Sequence, residues 1–297
     1  MNTNSDKILF KKFLDRNDKR IFEGGKRFDN NDDDDADDAT LISIITVVKN
    51  KSEYIQETID SIKNQKYKNI ENIIIDGVST DGTIEIIKKN LDFIDYFVCE
   101  PDMGNYDAIN KGISLCTGEL IGIVNADDIL LPDACDILIK YYKKFPEIDF
   151  FFGSVKKHWG TISGYYPKKI KYSWFFYTSH STGFFLKKYA AEKNGKYSLK
   201  YKYSSDFDYL YRLIVHNKFK GIATKKNEIF GIFRPGGISA TLNKEEHFFE
   251  KIQIRIDNKQ NKYLLMIIFL AKFFKNYFSS NRIELSKFLS FFKKNFL

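Results

Sequence analysis

The chain has 297 residues, 43% of them hydrophobic, which suffices for one large α/β domain or two small ones. Its net charge of +8 is uneven: residues 1–40 sum to −3 and residues 251–297 to +8, so the middle is near neutral, and a nucleic-acid binder with charge spread over its folded body is excluded. Three cysteines without a C-x-x-C pair and a polar start without an apolar signal core predict a reduced, cytoplasmic setting, and the longest apolar run, 263–271, is too short to span a bilayer.

Residues 1–40 lack periodicity and end in "DNNDDDDADDAT", so a disordered acidic segment is expected there. Order starts at "LISIITVV" (41–48), a run suited to a strand buried on both faces. A helix follows, with Ile55, Ile59 and Ile62 at helical spacing. "ENIIIDGVSTDGT" reads as a strand ending in a turn, "TIEIIKKN" as a helix and "DYFVCE" as a strand. "YDAINKGISLC" reads as a helix and "ELIGIV" as a strand, and Pro132 opens a further helix. "DFFFGSV" is strand-like. The alternation predicts an α/β fold with a mostly parallel sheet and helices on both faces. The expected divisions are 1–40, a nucleotide-binding half at 41–155, an acceptor half at 156–245 and C-terminal amphipathic helices at 246–297.

Ligands of such sheets bind beyond the carboxyl ends of the strands. There the sequence puts Lys49-Asn50, Asp76, Glu100-Pro101-Asp102 and Asn125-Ala126-Asp127-Asp128. The last group interrupts an apolar run, "LIGIVNADDILLPD" (120–133). Two adjacent carboxylates hemmed in by apolar residues call for a cation. Mg²⁺ or Mn²⁺ fits, held by one or two carboxylates plus substrate phosphates. Neither G-x-G-x-x-G nor a P-loop is present.

Together, "ISIITVVKN", "IIIDGVSTDGT", "EPDMGNYDAINKGISLCTGELIGIVNADD" and "SSDFDYLYRL" resemble glycosyltransferase family 2 over residues 41–240. The branch they are most similar to builds exopolysaccharides and surface glycans. The resemblance implies a GT-A fold and inverting transfer of a sugar from a UDP-, GDP- or dTDP-type donor, with Mn²⁺ or Mg²⁺ as cofactor. It implies a glycan, lipid-linked or protein-linked acceptor. Asp76 matches the carboxylate that binds the base, and Thr46, Asn50, Asp102 and Asp127 fall in the nucleotide site. Asp127 and Asp128 match the acidic motif that contacts ribose and metal. Asn125 stands where many members have Asp, so the metal falls chiefly to Asp128. Asp206 matches the second acid of an "ED" pair, the catalytic base, with Ser205 in place of Glu. Its alternative role is an N-terminal charge on an amphipathic helix capped by Ser204 or Ser205. Asp208 is read as an ordinary surface or structural charge on another side of that helix. "FRPGGIS" supplies Arg234, Gly236, Gly237 and Ser239, and "TSHSTGFF" supplies His180, for a diphosphate or acceptor loop. Asp81 and Asp102 each have a helix-capping alternative. Trp159 and Trp174 can stack on sugars or pack in the core.

The C-terminal stretch 262–297 is basic and amphipathic, with Leu285, Phe288, Leu289, Phe292 and Phe296 on one side. It suits peripheral contact with an anionic membrane, self-association, or packing on the protein itself. Two other functions use a similar rim, a sugar nucleotidyltransferase and a catalytically silent glycan-binding scaffold. The first usually needs a Gly-rich basic loop after the first strand, and "VVKNKSEY" has no glycine.

Overall fold

The computed structural model describes residues 20–28, 39–172, 181–234, 244–277 and 284–296. In chain order these form β1 (Phe22–Gly24), β2 (Ile42–Val48), α1 (Ile55–Lys63), β3 (Ile70–Asp76), α2 (Thr83–Lys88), β4 (Tyr96–Cys99), α3 (Asn105–Leu115), β5 (Leu120–Ile123), β6 (Ile129–Leu130) and α4 (Ala134–Lys144). There follow β7 (Phe150–Phe152), β8 (Ser154–Lys157), β9 (Gly160–Ile162), α5 (Pro167–Tyr172), β10 (Phe184–Lys187), α6 (Lys188–Asn194), α7 (Ser205–Tyr211), β11 (Gly221–Ala223) and β12 (Ile229–Ile232). Three helices complete the described chain: α8 (Lys244–Asp257), α9 (Lys262–Tyr277) and α10 (Leu285–Phe296).

The chain divides into two compact units. The first comprises Met1–Tyr165, Thr178–Tyr197 and Phe219–Pro235, and the second comprises Tyr166–Tyr177, Ser198–Lys218 and Gly236–Leu297. The expected cut at residue 155 is therefore replaced by an interleaved one. The physical reason is that β10, β11 and β12 return to complete the sheets of the first unit.

The first unit's larger sheet has the order β1-β4-β3-β2-β5-β10-β7-β11. The pairs β4–β3, β3–β2 and β2–β5 are parallel, whereas β10 is antiparallel to both β5 and β7. A smaller sheet has the order β6-β12-β8-β9. The central strands are mostly apolar because both faces are covered: Ile44, Ile45, Ile73, Ile74 and Ile75 are fully buried. On one face Ile55, Ile59, Ile84 and Ile87 of α1 and α2 pack with Ile74 and Phe97, and beside them Leu138 and Ile139 of α4 pack with Ile44, Phe151, Phe185 and Phe230. On the opposite face Gly112 of α3 lies against Ile45. Gly122 of β5 lets the Phe185 ring lie flat on the neighbouring strand, since a Cβ there would come within 2.2 Å of it.

The N-terminal expectation needs correction. Residues 20–28 are ordered, and β1 pairs antiparallel with β4, Glu23 opposite Val98. Arg27 then reaches Glu71 and the Leu115 carbonyl. Glu71 also accepts from Ser43 Oγ and from the backbone N–H and hydroxyl of Thr117. Burial pushes Glu71 up, but these donors outweigh it and hold its carboxyl below the usual range.

In the second unit α8, α9 and α10 share an aromatic core of Phe248, Ile252, Leu265, Phe269, Phe273, Phe288 and Phe296. The rings of Phe269 and Phe288 stack with centroids 4.7 Å apart. The apolar side expected of α10 is thus split. Phe288 and Phe296 face this core, whereas Leu285 and Leu289 are exposed. Arg255 of α8 is fully buried, bonded to Gln260 Oε1 (2.8 Å) and the Lys171 carbonyl (3.2 Å). Among the described residues no helix is long and apolar enough to cross a membrane.

Candidate active site

Parallel pairing brings the ends of β2, β3 and β5 to one edge of the first unit. Asp76 ends β3 opposite Val48 of β2, and beyond β5 the backbone N–H groups of Val124 and Ala126 continue onto the Ile45 and Val47 carbonyls. Asp76 and the turn 125–128 therefore flank the end of β2, with the Lys49–Ser52 loop above it.

Asp76 is fully buried. Its Oδ1 accepts from the Ser79 N–H (2.9 Å) and the Cys99 thiol (3.2 Å), while Oδ2 has no partner among the described residues. Burial and the Asp76 carboxylate push the Cys99 thiol up to about 12, so it stays protonated and donates. Val78, just after Asp76, has φ 64°, a conformation costly for a β-branched residue. Such strain, about 1–3 kcal/mol, persists where surrounding contacts enforce it and clusters at functional sites. Asn50 is also left-handed, at φ 52°. It fixes this turn by donating its N–H to Ser79 Oγ and accepting from the Thr80 N–H with Oδ1. Thr46 is buried in β2 beneath, its hydroxyl without a partner.

The two capping alternatives gain contacts. Asp81 accepts from the N–H (3.1 Å) and hydroxyl (2.6 Å) of Thr83 and from the Ser52 N–H (3.0 Å). Slight burial opposes these bonds, yet they lower its carboxyl to about 2. Asp102 accepts from the Gly104 N–H before α3, and its other oxygen lies against Gly77. A Cβ on Gly77 would approach that oxygen to 2.3 Å, so a larger residue there would displace the Asp102 carboxylate.

In the acidic turn, Thr58 of α1 donates its hydroxyl to the Ala126 and Asp128 carbonyls, both at 2.9 Å. Asp127 and Asp128 then diverge. Asp127 pairs with Lys51 Nζ at 2.9 Å. Asp128 is fully buried, and its Oδ2 accepts from Thr182 Oγ1 (2.7 Å) and Asn125 Nδ2 (3.1 Å). Burial raises its carboxyl to about 7, and the charge of Asp127 adds to this against the hydrogen bonds of Thr182, Asn125 and the Arg234 N–H. The repulsion between the two carboxylates is therefore met by a lysine and by a shifted proton equilibrium. Sequence reading missed Lys51 and Thr182, which lie 76 and 54 residues from their partners. Lys51 does adjoin Asn50 at a strand end, the one local signal that could have found it.

Arg234 also lies beside this turn through its N–H. Its guanidinium bonds Glu57 and sits 5.3 Å over the Tyr54 ring, and its Nη1 is buried without a partner among the described residues. The Lys157 charge faces Asp128 as well. His180, Trp174, Gly236, Gly237 and Ser239 lie outside the described residues, and Trp159 is exposed.

The donor set suits a hard cation. It is all oxygen, and Asp127 and Asp128 are the one or two carboxylates that Mg²⁺ or Mn²⁺ takes when phosphates complete the shell. Among the described residues no cluster of three or more acidic, His or Cys groups is present, so a fully protein-made cage is not on offer. Lys51, Lys157 and the unpartnered Arg234 nitrogen supply positive charge for such phosphates.

In the second unit Asp206 is exposed at the start of α7, its Oδ1 near the Phe207 N–H (2.8 Å). Ser204 and Ser205 are buried with hydroxyls that make no hydrogen bond among the described residues, so neither serves as a side-chain cap there. Of the two readings of Asp208, the structure shows the structural charge. It is buried, pairing with Arg212 (2.9 Å) and accepting from Asn258 Nδ2 (2.8 Å). After Tyr211 the helix widens into a π turn, Arg212–His216.

The sequence model of glycosyl transferase family 2 matches residues 43–205. An uncharacterized glycosyltransferase of Methanocaldococcus jannaschii is 30% identical over 193 residues, 60% of this chain and 66% of that protein. The poly-beta-1,6-N-acetyl-D-glucosamine synthase of Staphylococcus epidermidis is 36% identical over 110 residues, 36% of this chain and 26% of that one. An uncharacterized mycobacterial glycosyltransferase, from Mycobacterium tuberculosis, matches over 35% of its length. The matches thus span from about a quarter to two thirds of these relatives. Among solved structures, S. aureus TarS 1–349 in complex with UDP-GlcNAc superposes with TM-score 0.66 at 14% identity, covering 85% of this chain and 79% of that one. A mannosyltransferase from Pyrobaculum calidifontis in complex with GDP-Man and Mn²⁺ superposes with TM-score 0.59 at 16% identity, covering 86% and 74%. These likenesses show the GT-A type of fold.

Proposed function

Since the chain belongs to glycosyl transferase family 2, we propose that it transfers a sugar from a nucleoside-diphosphate donor to an acceptor hydroxyl with inversion. The observation that carries this reading is the pairing of Asp76 with the turn Asn125–Asp128 on either side of β2. Asp76 and Asn50 hold the nucleoside, with Thr46 and Asp102 behind them, and Arg234 and Lys51 attend the diphosphate. The family relatives and the UDP-GlcNAc complex support a nucleotide-sugar donor.

Asp76 also bears on the base. With Oδ1 occupied by Ser79 and Cys99, one acceptor oxygen is left. A single acceptor matches the one imide N–H of uracil or thymine. It leaves one of guanine's two adjacent donors unpaired, which is costly in a dry pocket. UDP- or dTDP-sugars are therefore the preferred donors.

In the reaction the acceptor oxygen forms a bond to C1 as the bond from C1 to the diphosphate oxygen breaks. Asp206 accepts the hydroxyl proton, and no covalent enzyme intermediate is required. Asp128, with Asp127, would hold Mn²⁺ or Mg²⁺, which would offset charge on the departing diphosphate. The acceptor is a glycan, free or on a lipid or protein carrier. The exposed apolar residues Tyr263, Ile267 and Phe274 of α9 and the net +8 of residues 251–297 support peripheral contact with an anionic cytoplasmic membrane face.

The test is a thermal-shift screen of UDP, dTDP and GDP with Mn²⁺. UDP or dTDP at a hundredfold excess over Kd is expected to stabilise the fold by roughly 2.7 kcal/mol. Stabilisation by GDP alone contradicts the base assignment, and no shift with any of them contradicts the site.

A further inference from the structure

Helix α8 carries His247, Lys251 and Arg255 at successive spacings of four, which puts them along one face. Their surroundings differ. Arg255 is committed to Gln260, to the Lys171 carbonyl and to the face of Phe207, 5.1 Å from its centroid. Lys251 and His247, both half-buried, have neither a hydrogen bond nor an ion pair among the described residues. The Lys251 ammonium lies 5.9 Å from the Phe207 centroid, in the attractive field of Asp206 and Glu250 and the repulsive field of Arg255 and Lys272. The acidic residues of α8 are turned elsewhere: Glu250 accepts from the Lys202 and Tyr203 N–H groups, and Glu246 accepts from the Tyr203 hydroxyl.

A desolvated ammonium without an acceptor is costly unless an anion joins it. Burial lowers Lys251 below the ordinary lysine range, and it lowers His247, with help from Lys251, to about 4. The position is informative too, since Lys251 and Asp206 feel each other's charge within the second unit. We propose that Lys251 and His247, with Lys272 adding to the field, bind a phosphate group carried by the acceptor. The acceptor is then a phosphate-bearing glycan or carrier, which deepens the reading of Asp206 as the acceptor-side base and rests on it. A tetrahedral anion gives the ammonium and the imidazole their missing acceptors, as uncharged sugar hydroxyls cannot.

The probe is inorganic phosphate, added to the full chain with the donor site saturated by nucleoside diphosphate and Mg²⁺. The ring-nitrogen NMR signals of His247 are expected to shift saturably with phosphate. Lys251→Met should weaken that response roughly tenfold or more, the worth of a hydrogen bond to a charged group, whereas Lys251→Arg retains it. The Met variant should melt no lower than the wild type, because it removes an unpaired charge. A second measurement needs no variant: phosphate should slow amine-reactive labelling of Lys251, read by mass spectrometry. His247 signals indifferent to phosphate, an equal response in Lys251→Met, or unprotected Lys251 each overturn the proposal. Asp206→Asn separates the two readings. It should leave the phosphate response intact while transfer falls, so retained transfer sinks the base alone.

Discussion

In the proposed reaction, two aspartates two positions apart divide catalysis from stability. Asp206 is exposed and Asp208 is buried between Arg212 and Asn258. Asp206→Asn should leave the melting temperature unchanged and reduce transfer roughly 10²–10⁴-fold, the usual worth of a general base. Asp208→Asn should cost about 1.5–3 kcal/mol of stability, the range for hydrogen bonds to charged groups. The opposite pattern would assign the base to Asp208. At the acidic turn, Asp128→Asn removes a desolvated carboxyl, so the variant should be at least as stable as the wild type. It should also lose the metal-dependent part of nucleoside diphosphate binding, read by calorimetry with and without Mn²⁺. Equal affinity in both conditions for the two proteins would remove Asp128 from the metal site. These residue types were legible in the sequence because acids at strand ends carry a meaning there. Two partners were not: Lys51 and Thr182 become neighbours of the acidic turn only through folding, and a sequence pattern does not show a pairing across 76 positions, whereas Arg212 stands one helical turn from Asp208 and was within reach of the pattern.

At the scale of elements, strands buried on both faces were legible and edge strands were not. β2, β3 and β5 announce themselves as apolar runs, and the helices between them by their spacing. β1 has three residues beside an acidic run and owes its order to pairing with β4 and to Arg27. That ties N-terminal order to Glu71 and gives it a pH signature. The carboxyl of Glu71 is lower in the folded state than its ordinary value of roughly 4.3. Its stabilisation is therefore present above that value and is lost as pH falls through the folded one. The melting-temperature gap between wild type and Glu71→Gln should be constant from pH 7 to about 5 and close on further acidification. A gap that widens in acid would contradict the network. The C-terminal helices were legible as amphipathic, but the sequence left open which apolar residues face inward. Their shared core means that truncation would unfold the unit rather than test a membrane. The discriminating change is Tyr263→Ser, Ile267→Ser and Phe274→Ser together, all at exposed positions. It should lower flotation with anionic vesicles and leave helicity unchanged; undiminished flotation removes α9 from the membrane face.

At the scale of the whole molecule, the order of strands and the rim they build follow from hydrophobic patterning, and the interleaved division into two units does not. β10, β11 and β12 are three- and four-residue strands whose aromatic and glycine-containing sequences carry no period, and their places are decided by rings such as Phe185 and Phe230 packing on Phe151 and Ile44. The central claim is that this rim binds a nucleotide sugar and that the chain transfers its sugar. The most direct measurement is nucleoside diphosphate release from UDP- and dTDP-sugars with Mn²⁺, for the wild type and for Asp76→Asn. The account predicts release by the wild type, accelerated by a phosphate-bearing glycan acceptor and lost in Asp76→Asn. Equal release by both proteins, or pyrophosphate formed from a nucleoside triphosphate and a sugar phosphate in its place, would contradict it.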